Sequence, residues 1–416
     1  MKLLLRTFGC RANQYDSEAV RAMVRAAGGE LVDDAAEADV ALFNSCAVTA
    51  GAEAELRREV RRTAGRNASL RTVIMGCASA LERSSGDLDL RTLPTVVTLV
   101  AGADLNAVGR ALGISAPSTP PSQQSGARAL LRIQDGCDEH CTFCTTVLAR
   151  GRNRSRDIDA LVEEAARLAD HHTEIVLTGV HIGSYGTDAG SSLSALLDRL
   201  VAEVPAARFR LSSLEATEVD PSLADRIVAR DGHVASYLHA PLQSGSDRVL
   251  KRMGRHWYSA TTYARAIERL AARQSVLGLG ADVITGFPGE DEDDHRATVA
   301  LVRALPFTAL HVFPWSARPG TSAERLAGRV APEVARARAL ELRSLASDKA
   351  ERYRAGRAGG AADIVVIRDG DRREGLTEDY LSVALGNGAP RRGARFHARL
   401  ASVGGTLTAH AVTVSP

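Results

Sequence analysis

Ala129-Leu130-Leu131-Arg132-Ile133-Gln134-Asp135-Gly136-Cys137-Asp138-Glu139-His140-Cys141-Thr142-Phe143-Cys144 runs an apolar strand into a loop that carries three cysteines in a C-x3-C-x2-C spacing. Outward from this stretch, apolar runs alternate with helical patterns. Strands are predicted over 130–134, 174–177, 209–212, 237–240, 279–284 and 310–313, and helical segments over 157–170, 192–202, 221–229, 259–272 and 292–304. Six βα units predict a partial (β/α)6 barrel, whose functional loops lie at the C-terminal strand ends by analogy with full barrels. The cysteine run follows the first strand, where a barrel places its chemistry. Three thiolates within eight residues suit an iron–sulfur cluster. A cubane cluster held only by protein takes four cysteines, so Cys137, Cys141 and Cys144 would leave one iron open. A structural zinc site needs a fourth ligand, for which His140 is the nearby candidate, and three unligated thiols are the remaining reading.

Upstream, Lys2–Thr7, 39–44, 72–75 and 95–99 read as buried strands separated by helical patterns such as 17–27 and 53–64. This alternation predicts an N-terminal parallel α/β sandwich over residues 1–114. Cys10, Cys46 and Cys77 each follow one of the first three strands. Loops at that end of an open parallel sheet share one edge, where ligands bind, so three cysteines distant in sequence converge on one point.

Residues 115–126 are uncharged and proline-rich without apolar periodicity, which marks a linker before a barrel domain over 127–355. After a long helical stretch over 332–354 the pattern changes to short strands at 363–368, 380–384, 394–401 and 406–414, which predicts a small C-terminal β-barrel over 356–416. From Leu381 onward there are four arginines, Arg391, Arg392, Arg395 and Arg399, and no acidic side chain. Such a basic face suits RNA; an ordinary solvated face is the alternative. Arg150, Arg152, Arg154 and Arg156 form a comb after the cysteine loop, suited to phosphates or simply solvated. Arg57-Arg58 and Arg61-Arg62 repeat at helical spacing, a surface that faces nucleic acid or one balanced by Glu53, Glu55 and Glu59. His171-His172 read as helix caps.

With 416 residues, 45% of them hydrophobic, the chain has material for two to three domains. No apolar run approaches the ~18 residues of a membrane span, and Met1-Lys2-Leu3-Leu4-Leu5-Arg6-Thr7-Phe8-Gly9 is too short an apolar stretch for a secretory leader. A cytoplasmic location is therefore expected. There, six cysteines read as metal ligands or catalytic thiols in preference to disulfides. The net charge of +2 neither demands nor excludes nucleic acid. Lysine occurs only at Lys2, Lys251 and Lys349, a bias that genome composition explains and that carries no weight for RNA.

Longer phrases now carry a resemblance. Thr7-Phe8-Gly9-Cys10-Arg11-Ala12-Asn13-Gln14-Tyr15-Asp16-Ser17-Glu18, Asn44-Ser45-Cys46-Ala47-Val48-Thr49 and Met75-Gly76-Cys77 resemble the N-terminal domain of the radical S-adenosylmethionine methylthiotransferases. Arg132-Ile133-Gln134-Asp135-Gly136-Cys137, with Cys141 and Cys144, is similar to that family's radical domain, and the C-terminal part resembles its RNA-binding TRAM barrel. The resemblance spans almost the whole chain. Departures occur at Thr145-Thr146-Val147, where relatives commonly carry two isoleucines and a proline, and at Ala78-Ser79-Ala80. Trp257 and Trp315 stand where tyrosine is usual. They bear on loop shape and substrate choice, and no cysteine is lost.

The resemblance implies two [4Fe-4S] clusters. The one on Cys137, Cys141 and Cys144 would hold S-adenosyl-L-methionine at its open iron, and the hard chemistry would be the cofactor's. The other, on Cys10, Cys46 and Cys77, would hold or supply sulfur, which a further S-adenosylmethionine methylates. Gly179, Ser213 and Glu215 are the implied cofactor contacts, and Gly280-Ala281-Asp282-Val283-Ile284-Thr285-Gly286 resembles the phrase that flanks the adenine. Glycines and short polar groups merely ending strands are the alternative. Glu215, if buried, requires a ligand contact or an arginine. Arg150, Arg152, Arg391 and Arg392 are the candidate contacts to tRNA. An electron donor protein and a sulfur source are implied partners, and no membrane is.

Gly179-Val180-His181-Ile182-Gly183-Ser184-Tyr185-Gly186, Leu242-Gln243-Ser244-Gly245-Ser246 and His311-Val312-Phe313-Pro314-Trp315-Ser316-Ala317-Arg318-Pro319-Gly320-Thr321 look most like tRNA enzymes that add methylthio to C2 of N6-threonylcarbamoyladenosine 3′ of the anticodon. Alternatives are the isopentenyladenosine tRNA enzymes, the branch that modifies an aspartate of a ribosomal protein, and a non-catalytic iron–sulfur RNA-binding sensor.

Overall fold

A continuous apolar run in the first strand, Leu3-Leu4-Leu5, gives both faces of a sheet something to bury. Leu3 and Leu5 pack into one core and Leu4 into another. A computed structural model describes residues 1–47, 50–85, 89–115 and 121–411. The strands β1 (Lys2–Thr7), β2 (Glu30–Val32), β3 (Val40–Ser45), β4 (Arg71–Gly76) and β5 (Val96–Leu99) form a parallel sheet in the order β2-β1-β3-β4-β5. Helices α1 (Arg11–Ala26) and α4 (Leu105–Leu112) cover one face through Val20, Met23, Val24, Val108 and Leu112. Helices α2 (Ala50–Arg66) and α3 (Cys77–Ser85) cover the other through Leu56, Val60, Ala78 and Leu81. Each fully buried aliphatic side chain is worth ~1.5–3 kcal/mol over an exposed one, so the two layers are set by this apolar run.

The chain makes two compact units that do not follow sequence order. The first joins residues 1–122 with 134–154 and 316–325; the second joins 123–133, 155–315 and 326–416. The stretch β7 (Gln134–Asp135), the cysteine loop and helix α5 (Thr146–Arg150), which the barrel domain was expected to hold, therefore pack with the N-terminal sheet. Of the expected linker, residues 116–120 lie outside those described, as do 412–414 of the expected last strand.

In the second unit, β6 (Ala129–Arg132), β9 (Glu174–Thr178) and β10 (Arg208–Leu211) form one parallel sheet, and β11 (Tyr237–His239), β12 (Gly278–Thr285) and β13 (Ala309–Pro314) another. Parallel bridges at Phe209–Val234 and Ser213–His239 join them into the six-stranded arc that was expected. Helices α6 (Ile158–Ala169), α7 (Leu193–Glu203), α8 (Pro221–Val228), α10 (Ala260–Ala271) and α11 (Glu292–Ala304) alternate with the strands, and α9 (Asp247–Arg252) is a short insertion. The long helix α12 (Pro332–Arg357) leads to a closed barrel of β14 (Ala361–Arg368), β15 (Glu374–Thr377), β16 (Ser382–Leu385), β17 (Arg395–Val403) and β18 (Thr406–Ala411). No helix among the described residues is long and apolar enough to cross a membrane.

Candidate iron–sulfur and cofactor site

The first cysteine triplet is assembled by three neighbouring strands. Cys10 precedes α1, Cys46 follows β3, and Cys77 opens α3 directly after β4. A buried asparagine ties the first two loops together: Asn13 Nδ2 donates to Phe8 O and to Ser45 O, each at 2.9 Å. Ser45 Oγ donates to Met75 O at 2.5 Å, which ties in the third. Cys46 and Cys77 are buried, Cys10 is exposed, and all six cysteines are free thiols. Burial pushes the Cys77 thiol up to about 11; Arg150 opposes the rise, and Cys10 and Cys46 add to it. A bound metal overrides such a rise, because thiols deprotonate on coordination.

The second triplet lies in the same unit. Cys137 N–H donates to Gly151 O at 3.1 Å, and Cys144 N–H to Cys141 O at 3.1 Å. Backbone N–H groups of Glu139 and Thr146 point at the sulfurs of Cys137 and Cys144, each at 3.4 Å. Such N–H groups orient ligand thiolates and stabilise their charge. Two sets of three thiols with oriented donors and no disulfide fit two [4Fe-4S] clusters, each held by three cysteines. They do not fit closed zinc sites, which take four ligands.

Arg150 is buried against Cys77 of the first triplet, which corrects its expected place on a phosphate-facing comb. Its side chain is 3% exposed. Nε donates to Cys77 Sγ at 3.4 Å, Nη1 to Asp135 Oδ1 at 2.9 Å, and Nη2 to Asn13 Oδ1 at 2.6 Å and Asp16 Oδ2 at 3.2 Å. Burial works against the guanidinium charge, but Cys77, Asp16 and Asp135 outweigh it and raise its pKa. Arg152 and Arg154 are exposed beside Asp138 and Asp135, whereas Arg156 turns inward to Glu164 at 2.6 Å. The comb is thus two outward and two inward arginines.

The expected cofactor contacts lie in the second unit. Gly179 follows β9 in a half-buried loop, and Ser213 is exposed beyond β10. Glu215 is buried and receives an arginine: Arg255 Nη2 donates to its Oε1, and the Arg255 guanidinium lies over the rings of Trp257 at 4.7 Å and Tyr258 at 5.0 Å. Burial raises the Glu215 pKa, with Arg255 opposing. The other carboxylate oxygen, Oε2, is buried without a hydrogen-bond partner. Glu218, close to Glu215 in sequence, pairs with His181 at 2.7 Å.

The remaining arginines and histidines are partly absorbed by the fold. Arg57 pairs with Glu53 and Arg62 with Glu59, which balances two of the four arginines of that helix. In the small barrel Arg395 pairs with Asp363, Arg392 donates to Ser125 O at 2.9 Å, and Arg391 is exposed. His172 is not a cap; buried, its Nε2 accepts the Gln124 N–H at 3.1 Å. Sequence reasoning missed Arg255 and the cluster His239–Asp282–His311, whose ligand-type atoms lie within 4.8 Å of one another. The signal available was polar residues at alternate positions of otherwise apolar strands.

Residues 2–102 match the model of the uncharacterized protein family UPF0004, and residues 131–302 that of the radical SAM superfamily. The chain is 34% identical to the threonylcarbamoyladenosine tRNA methylthiotransferase MtaB of Thermotoga maritima, over 84% of this chain and 83% of the relative. It is 32% identical to the tRNA-2-methylthio-N(6)-dimethylallyladenosine synthase of Methylobacillus flagellatus, over 88% and 87%. Among solved structures, the radical S-adenosylmethionine methyltransferase TsrM of Kitasatospora setae matches with a TM-score of 0.53 at 14% identity, over 78% of this chain and 77% of that one, a likeness of fold. Identity of this extent over most of both chains marks shared descent, and the chain belongs to the radical S-adenosylmethionine methylthiotransferase family.

Proposed function

We propose that the enzyme adds a methylthio group to C2 of N6-threonylcarbamoyladenosine in tRNA. The observation that carries this reading is the gathering of six cysteines into two triplets within one compact unit, with Arg150 bonded to Cys77 and Asp135. Similarity to the Thermotoga maritima relative supports the choice of adenosine. Cys137, Cys141 and Cys144 would hold one cluster, and Cys10, Cys46 and Cys77 the other. When bound, these groups supply one-electron cleavage of S-adenosylmethionine and sulfur for transfer.

The chain's own residues position and shield. Asn13 and Ser45 fix the three loops of the first triplet, and Arg150 places positive charge beside Cys77. Glu215, clamped by Arg255, presents its second oxygen as an acceptor for the cofactor, with Gly179 and Ser213 as the other candidate contacts. Arg152, Arg391 and Arg392 are the candidate phosphate contacts, and Arg150 is withdrawn from that set. An electron donor protein, a sulfur source and a cytoplasmic location belong to the same proposal.

The test is mass spectrometry of digested tRNA from cells with and without the gene. Loss of the methylthio form of threonylcarbamoyladenosine alone is expected. Loss of the isopentenyl form instead would assign the enzyme to the other group of relatives, and no change in either would remove tRNA as substrate.

A further inference from the structure

Three adjacent strands carry a polar cluster on the sheet face turned away from the helices. On β12, Leu279, Ala281 and Val283 enter the core beneath the helices, so Gly280 and Asp282 point to the opposite face. Register places His239 of β11 opposite Gly280, and His311 of β13 opposite Asp282. His239 Nε2 and His311 Nδ1 each lie 3.1 Å from Asp282 Oδ1, with the two rings 5.2 Å apart.

The cluster is built as a graded cup. His239 is 10% exposed, Asp282 25% and His311 61%, so it opens from floor to mouth. Below His239, Tyr237 stacks on Tyr380 at 4.5 Å over the Arg210 guanidinium, which closes the floor. Gly280 leaves room for the histidine: an added Cβ would stand 2.5 Å from Tyr237 Oη and 2.6 Å from His239 Nδ1. Half-exposed Phe313 meets the His311 ring edge-on at 6.3 Å and supplies an apolar lip. Burial opposes ionisation of Asp282, but the hydrogen bonds from the two histidines outweigh it and hold the carboxylate well below its usual range.

We propose that the His239–Asp282–His311 cluster receives the polar N6 substituent of the target adenosine, with His311 as the specificity-determining contact. This assignment rests on the function proposed above. A threonylcarbamoyl group carries urea N–H groups, a hydroxyl and a carboxylate, which match an aspartate and imidazoles. A dimethylallyl group is hydrocarbon; laid over this cluster it would strip water from Asp282 and His311 and return no hydrogen bond. Discrimination by a site built for hydrogen bonding is steep, because the mismatched ligand leaves its polar groups unpaired.

The test compares the reconstituted full-length enzyme with H311F and D282N. Anticodon stem-loops carry N6-threonylcarbamoyladenosine, N6-isopentenyladenosine or unmodified adenosine. Affinity is measured without S-adenosylmethionine, kcat/KM with it, and bound metals by mass spectrometry. Expected is a wild-type preference for the threonylcarbamoyl loop over the unmodified one that H311F loses. Its kcat/KM on that loop falls about tenfold to a hundredfold, mainly through KM, with iron content and melting point retained. The exposure of His311 makes H311F the informative variant if D282N misfolds. A preference kept by H311F overturns the assignment and leaves the function standing. A non-iron divalent metal present in wild type and absent from H311F also overturns it, in favour of a metal centre. Wild-type turnover of the isopentenyl loop alone sinks the function itself.

Discussion

Arg150 shows how one side chain can be misplaced by a correct pattern. In sequence it is the first tooth of an arginine comb, and its spacing gives no sign of burial. Its partners Asn13 and Asp16 lie 137 and 134 residues away, so only the docking of α5 onto the N-terminal sheet reveals them. The consequence is testable. Removing the guanidinium takes its charged hydrogen bonds away from Asp16 and Asp135 beside buried Cys77, and breaking a buried pair costs ~3–5 kcal/mol. R150M should lower unfolding stability by about that amount in denaturant melts. R150K keeps a charge but lacks the planar fork that reaches four partners, and should lose less. Equal stability of R150M and wild type would mean that water reaches these acids. The cysteines themselves were legible because spacing and strand ends suffice to group them; Arg255 on Glu215 was anticipated only as a kind of partner.

At the scale of elements, strands with alternating or continuous apolar runs were readable to within a residue or two, as β1, β9 and β12 show. Besides the two-residue Arg154–Ser155, two strands escaped. Glu30–Val32 is three residues long, and Glu374–Thr377 is half polar, so neither carries enough apolar period to stand out. The cysteine loop was placed correctly after β6, but its packing was not, because it sits on partners from another part of the chain. Gly136 fixes how the loop leaves β7. It sits at φ +73°, and an added Cβ would lie 1.9 Å from Arg152 O, a backbone atom that cannot swing aside. G136A should therefore displace Cys137 and cost the enzyme one of its two clusters. Iron analysis should fall by about half, given four irons per cubane, while the visible absorption of the other cluster persists. Full iron content in G136A would show that the loop adapts.

For the whole second unit, the decisive feature is a charge network that the sequence hid inside apolar strands. Glu174 of β9 is fully buried between Arg208 and Arg210 of β10, at 2.5 and 2.9 Å. The same arginines reach the small barrel: Arg208 Nη1 donates to Asp363 O at 2.7 Å, and Arg210 to Thr377 O at 2.9 Å and Glu378 O at 3.1 Å. Arg357, at the end of α12, pairs with Asp379 and Glu378. The small barrel is thus bonded to the arc through buried charge, and truncating the chain before it would uncover Arg208 and Arg210. Loss of activity on truncation would then report instability as readily as lost RNA binding, which makes R391A/R392A the cleaner probe of tRNA contact. The network also sets a pH dependence. Burial alone would raise the Glu174 pKa, but Arg208 and Arg210 outweigh it and hold the carboxyl far below its usual range. A depressed folded-state pKa stabilises the fold above the unfolded value of ~4.3, and that contribution is lost as pH falls below it. E174Q should be less stable than wild type at pH 7, since it leaves two buried arginines short of a carboxylate. Between about pH 4.5 and 3 its unfolding free energy from urea melts should fall less steeply, by up to ~1.4 kcal/mol per pH unit for the one proton removed. Parallel slopes for the two proteins would place the acid sensitivity elsewhere, in Asp363 or Asp282, whose carboxyls are also held low by their cationic and histidine neighbours.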